Sequence, residues 1–247
     1  MSILRTIVFL AYMFGYLVLR LPMQHRGEKA LAGGDWAAVD AVTHRYVPRW
    51  CGALLRIAGV RVEVTGRENI PAGRACVFVV NHRSYFDIPV LLTSLDAPHG
   101  LLAKKEINRL PLVPGWMRLL GCVFVDREDL HASMRALSDA TDTVAAGCSF
   151  VIFPEGTRYK GEEGGMGEFK GGAFRIATKC GAPLVPVAVT GTRPIFEGRH
   201  NLVHPSHVAV HILPAIETAG LPRTAQKVLP DQVHDALQTE LRAMTAQ

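Results

Sequence analysis

The sequence predicts an α/β protein: a largely parallel central sheet flanked by helices, with a membrane-associating helical segment at the N-terminus. Three observations predict it. Short β-type runs alternate with helix-period stretches from residue 60 onward, the pattern of strands joined by crossover helices. The first quarter instead carries a long uncharged apolar run followed by an amphipathic stretch. Finally, 247 residues at 49% hydrophobic and 20% charged supply one large core, which excludes a disordered tail, a collagen-like repeat or a small disulfide scaffold.

Residues 6–19 are fourteen consecutive uncharged, mostly large apolar residues between Arg5 and Arg20. As a helix rising about 1.5 Å per residue they reach roughly 21 Å, short of a hydrocarbon core of roughly 30 Å. Extending the run to both arginines, with their side chains snorkelling, stretches it to about 28 Å, so it either dips into one leaflet or spans once. A cleaved leader is disfavoured, because Arg20, Arg26 and Lys29 separate the run from the small-residue site at Ala30 and Ala32. Residues 35–58 place Trp36, Val39, Val42, Tyr46, Trp50 and Leu54 at spacings of three and four, interleaved with Arg45, Arg49 and Arg56. That is an amphipathic helix with interfacial aromatics, expected to break near Pro48. Together the two helices make a device lying on or in one leaflet, over residues 1–58, ahead of an α/β unit at 59–247.

Charge distribution agrees. The net charge is +5, and residues 1–65 carry eight Lys or Arg against four Asp or Glu. The basic character therefore belongs to the apolar quarter, which suits anionic lipid and not nucleic acid, since no aromatic platform or recognition-helix pattern accompanies it. Cys51, Cys76, Cys122, Cys148 and Cys180 are scattered, with no C-x-x-C, so neither a disulfide framework nor a zinc knuckle is expected.

Beyond residue 59, strands are expected at 60–65, 75–80, 100–103, 122–125, 149–153, 184–190 and 207–213. Helices are expected at 88–95, 113–120, 130–146 and 172–180, with a closing helix at 231–244. Open α/β sheets bind ligands beyond the carboxyl ends of their strands, and two strand ends run directly into polar, turn-forming residues. The first is Val79-Val80 followed by Asn81-His82 and, five residues after the histidine, Asp87. On one continuous helix that spacing puts the two side chains about 140° apart. They meet only if His82 ends the strand and Asp87 starts the next helix, where the carboxylate can fix the imidazole tautomer. The plainer reading is a helix N-cap aspartate ahead of Pro89.

The second junction is Ile152-Phe153-Pro154-Glu155-Gly156-Thr157-Arg158, which places an acid, a glycine, a hydroxyl and a guanidinium at a strand end. Arg and Thr suit a phosphate dianion, and Gly permits close backbone approach. Six glycines then fall within residues 161–172, together with Lys170. No Gly-Lys-Ser/Thr follows, so this is no nucleotide P-loop. It reads as a flap over the site or as a plain connector.

In combination, Asn81-His82 with Asp87 and the run from Phe153 to Arg158 resemble blocks one and three of the glycerolipid acyltransferases, above all the 1-acylglycerol-3-phosphate acyltransferase family. Ala103-Lys104-Lys105-Glu106 through to Asp126-Arg127 resembles block two, and Val185-Pro186-Val187 block four. The resemblance covers about residues 60–195. It implies direct transfer of a fatty acyl group from an acyl thioester, either acyl-CoA or acyl carrier protein, to the free hydroxyl of 1-acylglycerol-3-phosphate, giving phosphatidic acid in phospholipid biosynthesis. It further implies that His82 is the general base and that Asp87 orients it. Glu155, Gly156, Thr157 and Arg158, with Lys104 and Arg127 assisting, are then the glycerol-phosphate binders, and Lys104 and Lys105 compete for the inward position. No cofactor or metal is implied. The implied partners are a membrane lipid acceptor and the thioester donor, and the positive flanks at Arg20, Arg26, Lys29, Arg45 and Arg49 lead us to expect the catalytic unit on the cytoplasmic face of the cytoplasmic membrane.

The residue chemistry is compatible. A hydroxyl relieved of its proton can attack a thioester without a covalent enzyme intermediate, and no cysteine adjoins His82. Three alternatives differ in class or substrate. A different lysolipid acceptor, such as a lyso-ornithine lipid, fits the same motifs. A metal-dependent hydrolase using His82, Asp87 and Glu155 lacks a third histidine at ligand spacing. A non-catalytic membrane adaptor leaves both strand ends unexplained.

Overall fold

Capping and composition delimit the elements. The computed structural model describes residues 1–95, 100–126 and 129–246. Three helices come first: α1 (Ser2–Leu19), α2 (Leu21–Ala32) and α3 (Trp36–Ala58). Asp35 caps α3 by accepting the Ala38 amide at 3.0 Å, and Gly59, in the left-handed conformation that glycine adopts without cost, ends it. The remainder runs β1 (Val60–Thr65), β2 (Val77–Val80), α4 (Asp87–Ser94), β3 (Gly100–Lys104), α5 (Val113–Leu119), β4 (Val123–Val125), α6 (Leu130–Ala145), β5 (Phe150–Ile152), α7 (Arg175–Cys180), β6 (Leu184–Thr190), β7 (Ser206–Ile212) and α8 (Arg223–Thr245).

The seven strands form one sheet in the order β1-β7-β6-β2-β5-β3-β4. All pairings are parallel except β6 with β7, whose connection has no crossover helix and so returns the chain antiparallel. The central strands β2, β5 and β6 are buried along their whole length, as continuous Val, Ile and Leu runs require when helices cover both faces. The edge strand β1 alternates between half-buried and exposed residues.

One face of the sheet packs Phe78, Val80, Val185 and Val187 against Leu54, Leu55 and Ala58 of α3, Val90 and Leu91 of α4, and Phe9 of α1. The other packs Val77, Val79, Phe150 and Ile152 against α6, α7 and α8. A third cluster, with Leu17, Val42, Cys51, Leu92, Trp116 and Leu119, ties the N-terminal helices to α4 and α5.

Four expectations about these elements are corrected. The N-terminal segment holds three helices, because the charged stretch at 21–32 is itself helical, with Gln24 and Gly27 buried on one side. α3 does not break at Pro48. The hydrogen bond lost there, with a cost of roughly 3 kcal/mol, is offset by burial of Val47, Cys51, Leu54 and Leu55 on either side. α8 likewise starts eight residues before its expected bound and contains Pro230, held by the buried Leu229 and Val233. The expected helix at 172–180 divides into a 3₁₀ turn, Gly171–Phe174, and α7.

α1 has two faces. Ile3, Leu4, Ile7, Val8, Leu10, Phe14, Val18 and Leu19 are exposed, and the helix is long and apolar enough to cross a membrane. The opposite stripe, with Thr6, Phe9 and Leu17, faces the protein. Thr6 Oγ1 accepts the Val203 amide at 2.8 Å, and the Phe9 ring lies 5.4 Å from that of Phe86.

Candidate active site

Sheet order explains why two motifs 73 residues apart meet. β5 is inserted beside β2, with Phe78 opposite Val151, so the two strand ends project together. At the end of β2 the fully buried Asn81 replaces a backbone partner. Its Nδ2 donates to Val189 O at 2.9 Å, and its Oδ1 accepts Val189 N at 2.8 Å. This satisfies the buried end of β6 while freeing the main chain to turn. His82 follows, its ring stacked on Phe153 with centroids 4.1 Å apart.

Asp87 is the first residue of α4. Its Oδ2 lies 2.7 Å from His82 Nδ1 and also accepts the amides of Arg83 (2.8 Å) and Ser84 (2.9 Å). One buried carboxylate oxygen therefore closes the whole turn, and the positive end of the helix favours its charge. The N-cap position itself is Phe86, so Asp87 does more than cap. With Nδ1 donating to the carboxylate, Nε2 is left to accept a proton, and the imidazole is partly exposed while Asp87 is sealed.

Glu155 acts on the same turn from β5. It is buried, and both oxygens accept backbone amides: Oε1 that of His82 at 2.6 Å, Oε2 that of Gly167 at 2.7 Å. Burial raises its carboxyl above the usual glutamate range, while the two amides and His82 pull the other way. The following glycine, Gly156, has φ +70, a conformation that other residues adopt only with strain, and the Lys170 side chain lies beside it. Thr157 is exposed. Arg158 Nη1 donates to Glu197 Oε1 at 2.8 Å, and its guanidinium lies 3.7 Å from the ring centre of the exposed Tyr85.

The sequence-derived set thus divides. His82, Asp87 and Glu155 are in direct contact, and Arg158 is joined to the same turn through Glu197 and Tyr85. Lys104, at the end of β3, pairs with Glu106 at 3.3 Å, whereas Lys105 pairs with Asp126. Arg127 lies outside the described residues.

Two residues that spacing did not suggest hold the site together. Arg83 is buried, and its guanidinium donates to the carbonyls of Gly161 (3.0 Å), Glu162 (2.7 Å) and Gly165 (3.2 Å) and to Glu163 Oε2 (3.0 Å). The glycine-rich segment is therefore neither an open flap nor a loose connector. It is folded around an internal cation, and Gly161 leaves room for the Tyr159 ring where a Cβ would lie 2.3 Å from the Tyr159 oxygen. The signal for Arg83 was its place directly after His82. Glu197, in the 3₁₀ turn Glu197–Arg199, had no spacing signal at all.

These contacts narrow the chemistry. Ser84 Oγ donates to Glu197 Oε2 at 2.6 Å and accepts the Phe86 amide, so it is fully used. The thiols of Cys51 and Cys122 are pushed up to about 12 and that of Cys76 to about 11, all by burial, so these three are poor nucleophiles. What the turn presents is an imidazole whose Nδ1 is held by Asp87, with the Arg158 guanidinium joined to the same turn through Glu197.

A protein-family model described as Acyltransferase matches residues 61–190, more than half of the chain and both strand-end junctions. The chain belongs to the acyltransferase family. Among its relatives, the 1-acyl-sn-glycerol-3-phosphate acyltransferase of Borreliella burgdorferi is 30% identical over 192 residues, 77% of this acyltransferase and 75% of that protein. The chloroplastic 1-acyl-sn-glycerol-3-phosphate acyltransferase BAT2 of Brassica napus is 34% identical over 68% of this chain. The chain spans about half (49%) of the length of the Brassica protein and 61% of a probable 1-acyl-sn-glycerol-3-phosphate acyltransferase of Mycoplasma pneumoniae. The crystal structure of the 1-acyl-sn-glycerophosphate (LPA) acyltransferase PlsC from Thermotoga maritima superposes with a TM-score of 0.79 at 25% identity, covering 100% of this chain and 99% of that one.

Proposed function

We propose that the protein moves a fatty acyl group from an acyl thioester to the free hydroxyl of 1-acylglycerol-3-phosphate, giving phosphatidic acid. The observation that carries this reading is the 2.7 Å contact between His82 Nδ1 and Asp87 Oδ2 beside the Glu155–Arg158 turn. Nε2 of His82 takes the hydroxyl proton as the oxygen attacks the thioester carbonyl. A C–O bond forms, the C–S bond breaks, and the imidazolium returns its proton to the departing thiolate. The ionised Asp87 stabilises the imidazolium meanwhile. Arg158 and Thr157 face the acceptor phosphate, where a charge-assisted hydrogen bond is worth about 1.5–3 kcal/mol. No cofactor enters this scheme, and the donor is acyl-CoA or acyl carrier protein.

The exposed apolar stripe of α1 supports membrane attachment, since both lysolipid and product reside in a bilayer. Arg20, Arg26, Lys29, Arg45 and Arg49 follow that stripe and favour the cytoplasmic face of the cytoplasmic membrane for residues 59–247. The test offers a panel of lysolipids, including 1-acylglycerol-3-phosphate and a lyso-ornithine lipid, with one labelled acyl thioester, and identifies the product. Labelled phosphatidic acid as the dominant product is expected. Preferential acylation of the lyso-ornithine lipid overturns the headgroup assignment, and consumption of thioester without acyl transfer overturns the reaction.

A further inference from the structure

The arginine placed at the acceptor phosphate is not held by its own strand-end turn. Its carboxylate partner, Glu197, sits beyond β6, outside the residues the family model spans. Glu197 is largely buried and uses both oxygens. Oε1 accepts Arg158 Nη1 (2.8 Å) and the Tyr85 amide (2.8 Å), while Oε2 accepts Ser84 Oγ (2.6 Å). Arg158 is fixed from its other side by the Tyr85 ring at 3.7 Å. One carboxylate thus joins the turn that carries His82 to the guanidinium, which is held between that carboxylate and the Tyr85 ring. A bare arginine side chain loses rotamer freedom on binding a phosphate, and a guanidinium already clamped avoids most of that loss.

We infer that Glu197 is a positioning residue that presets Arg158 for the acceptor phosphate and keeps it in register with His82. This rests on the reading of Arg158 as the headgroup contact. The alternative physical role is opposite in sign: a carboxylate beside the arginine can compete with the phosphate, and its removal then tightens acceptor binding.

The test uses the full-length protein in mixed micelles and compares wild type, E197A, E197Q and R158A. For each it measures KM for 1-acylglycerol-3-phosphate, KM for the acyl thioester, kcat and the melting temperature. E197A is expected to raise the acceptor KM about tenfold while the thioester KM stays within about twofold. E197Q, which keeps one acceptor oxygen and can still meet Ser84, is expected to recover most of that loss. E197A added to R158A is expected to cost little more than R158A alone, because both act on one interaction.

A lowered acceptor KM in E197A or E197Q overturns the inference in favour of competition. So does an equal rise in both KM values accompanied by a fall in melting temperature, the pattern of general misfolding. If R158A itself leaves the acceptor KM unchanged, the headgroup role of Arg158 fails and the inference with it. If R158A shows the selective rise and E197A does not, the inference alone fails.

Discussion

The two strand-end junctions solve the same problem in opposite ways. The turn after β2 is nearly self-contained: a single oxygen of Asp87 gathers His82 Nδ1 and two amides within five residues. The turn after β5 is assembled from afar, with Glu155 reaching back to His82 and forward to Gly167, and Arg158 depending on Glu197. A proton-transfer group must keep one tautomer and one orientation, which short-range bonds enforce cheaply. A headgroup contact must fit a substrate, and its walls come from wherever the fold supplies them. Damage to the first junction should therefore abolish turnover, whereas damage to the second should redistribute it between affinity and rate.

The largest effect expected is at His82, the proposed base. His82→Ala should lower kcat by about 10² to 10⁴, with sedimentation onto lipid vesicles unchanged, and near-normal turnover would erase the distinction drawn above. Asp87→Asn should come next, lowering kcat by about 10² or more, because the amide no longer stabilises an imidazolium. A defect confined to KM in that variant would place Asp87 with the headgroup contacts instead. Arg158→Ala should raise the acceptor KM by about 10- to 100-fold with little change for the thioester, as expected for one lost charge-assisted bond; comparable changes in both would remove the clamp.

The smallest effect concerns Glu155. Its folded-state pKa is raised by burial, so the native protein binds that proton more tightly than the unfolded chain. This contribution to stability is full below the ordinary glutamate value of about 4.3 and is lost as pH rises through the higher folded value. Glu155→Gln lacks it, and presents an amide N–H₂ to one of two backbone donors, costing about 1–3 kcal/mol at every pH. Melting curves from pH 4 to 7 should show wild type gaining stability relative to the glutamine variant on acidification. Parallel curves would mean that the carboxyl titrates alike in both states.

The elements of the sheet were legible because buried central strands are written as uninterrupted apolar runs, as in Leu184–Thr190. α2 is not legible, since its charged residues leave only one narrow side for packing, and the break expected at Pro48 is absent because tertiary burial outweighs its local cost. His82 and Asp87 were readable as a pair because the turn that joins them is short. Arg83 and Glu197 were not: a buried guanidinium is recognised by the carbonyls around it, and those belong to a glycine-rich run some eighty residues away, while Glu197 becomes meaningful only once β6 is laid beside β2.

The inner stripe of α1 bears on how this enzyme can be handled. Thr6 receives the Val203 amide, and Phe9 packs on Phe86, which in turn touches Phe196, the neighbour of Glu197. The apolar first helix is consequently part of the support beneath the His82–Asp87 turn, and not only an exposed apolar surface. Trimming it to obtain a water-soluble fragment strips the floor from beneath the histidine turn and frees the segment that steadies Arg158, so a weakly active truncate says little about the need for lipid.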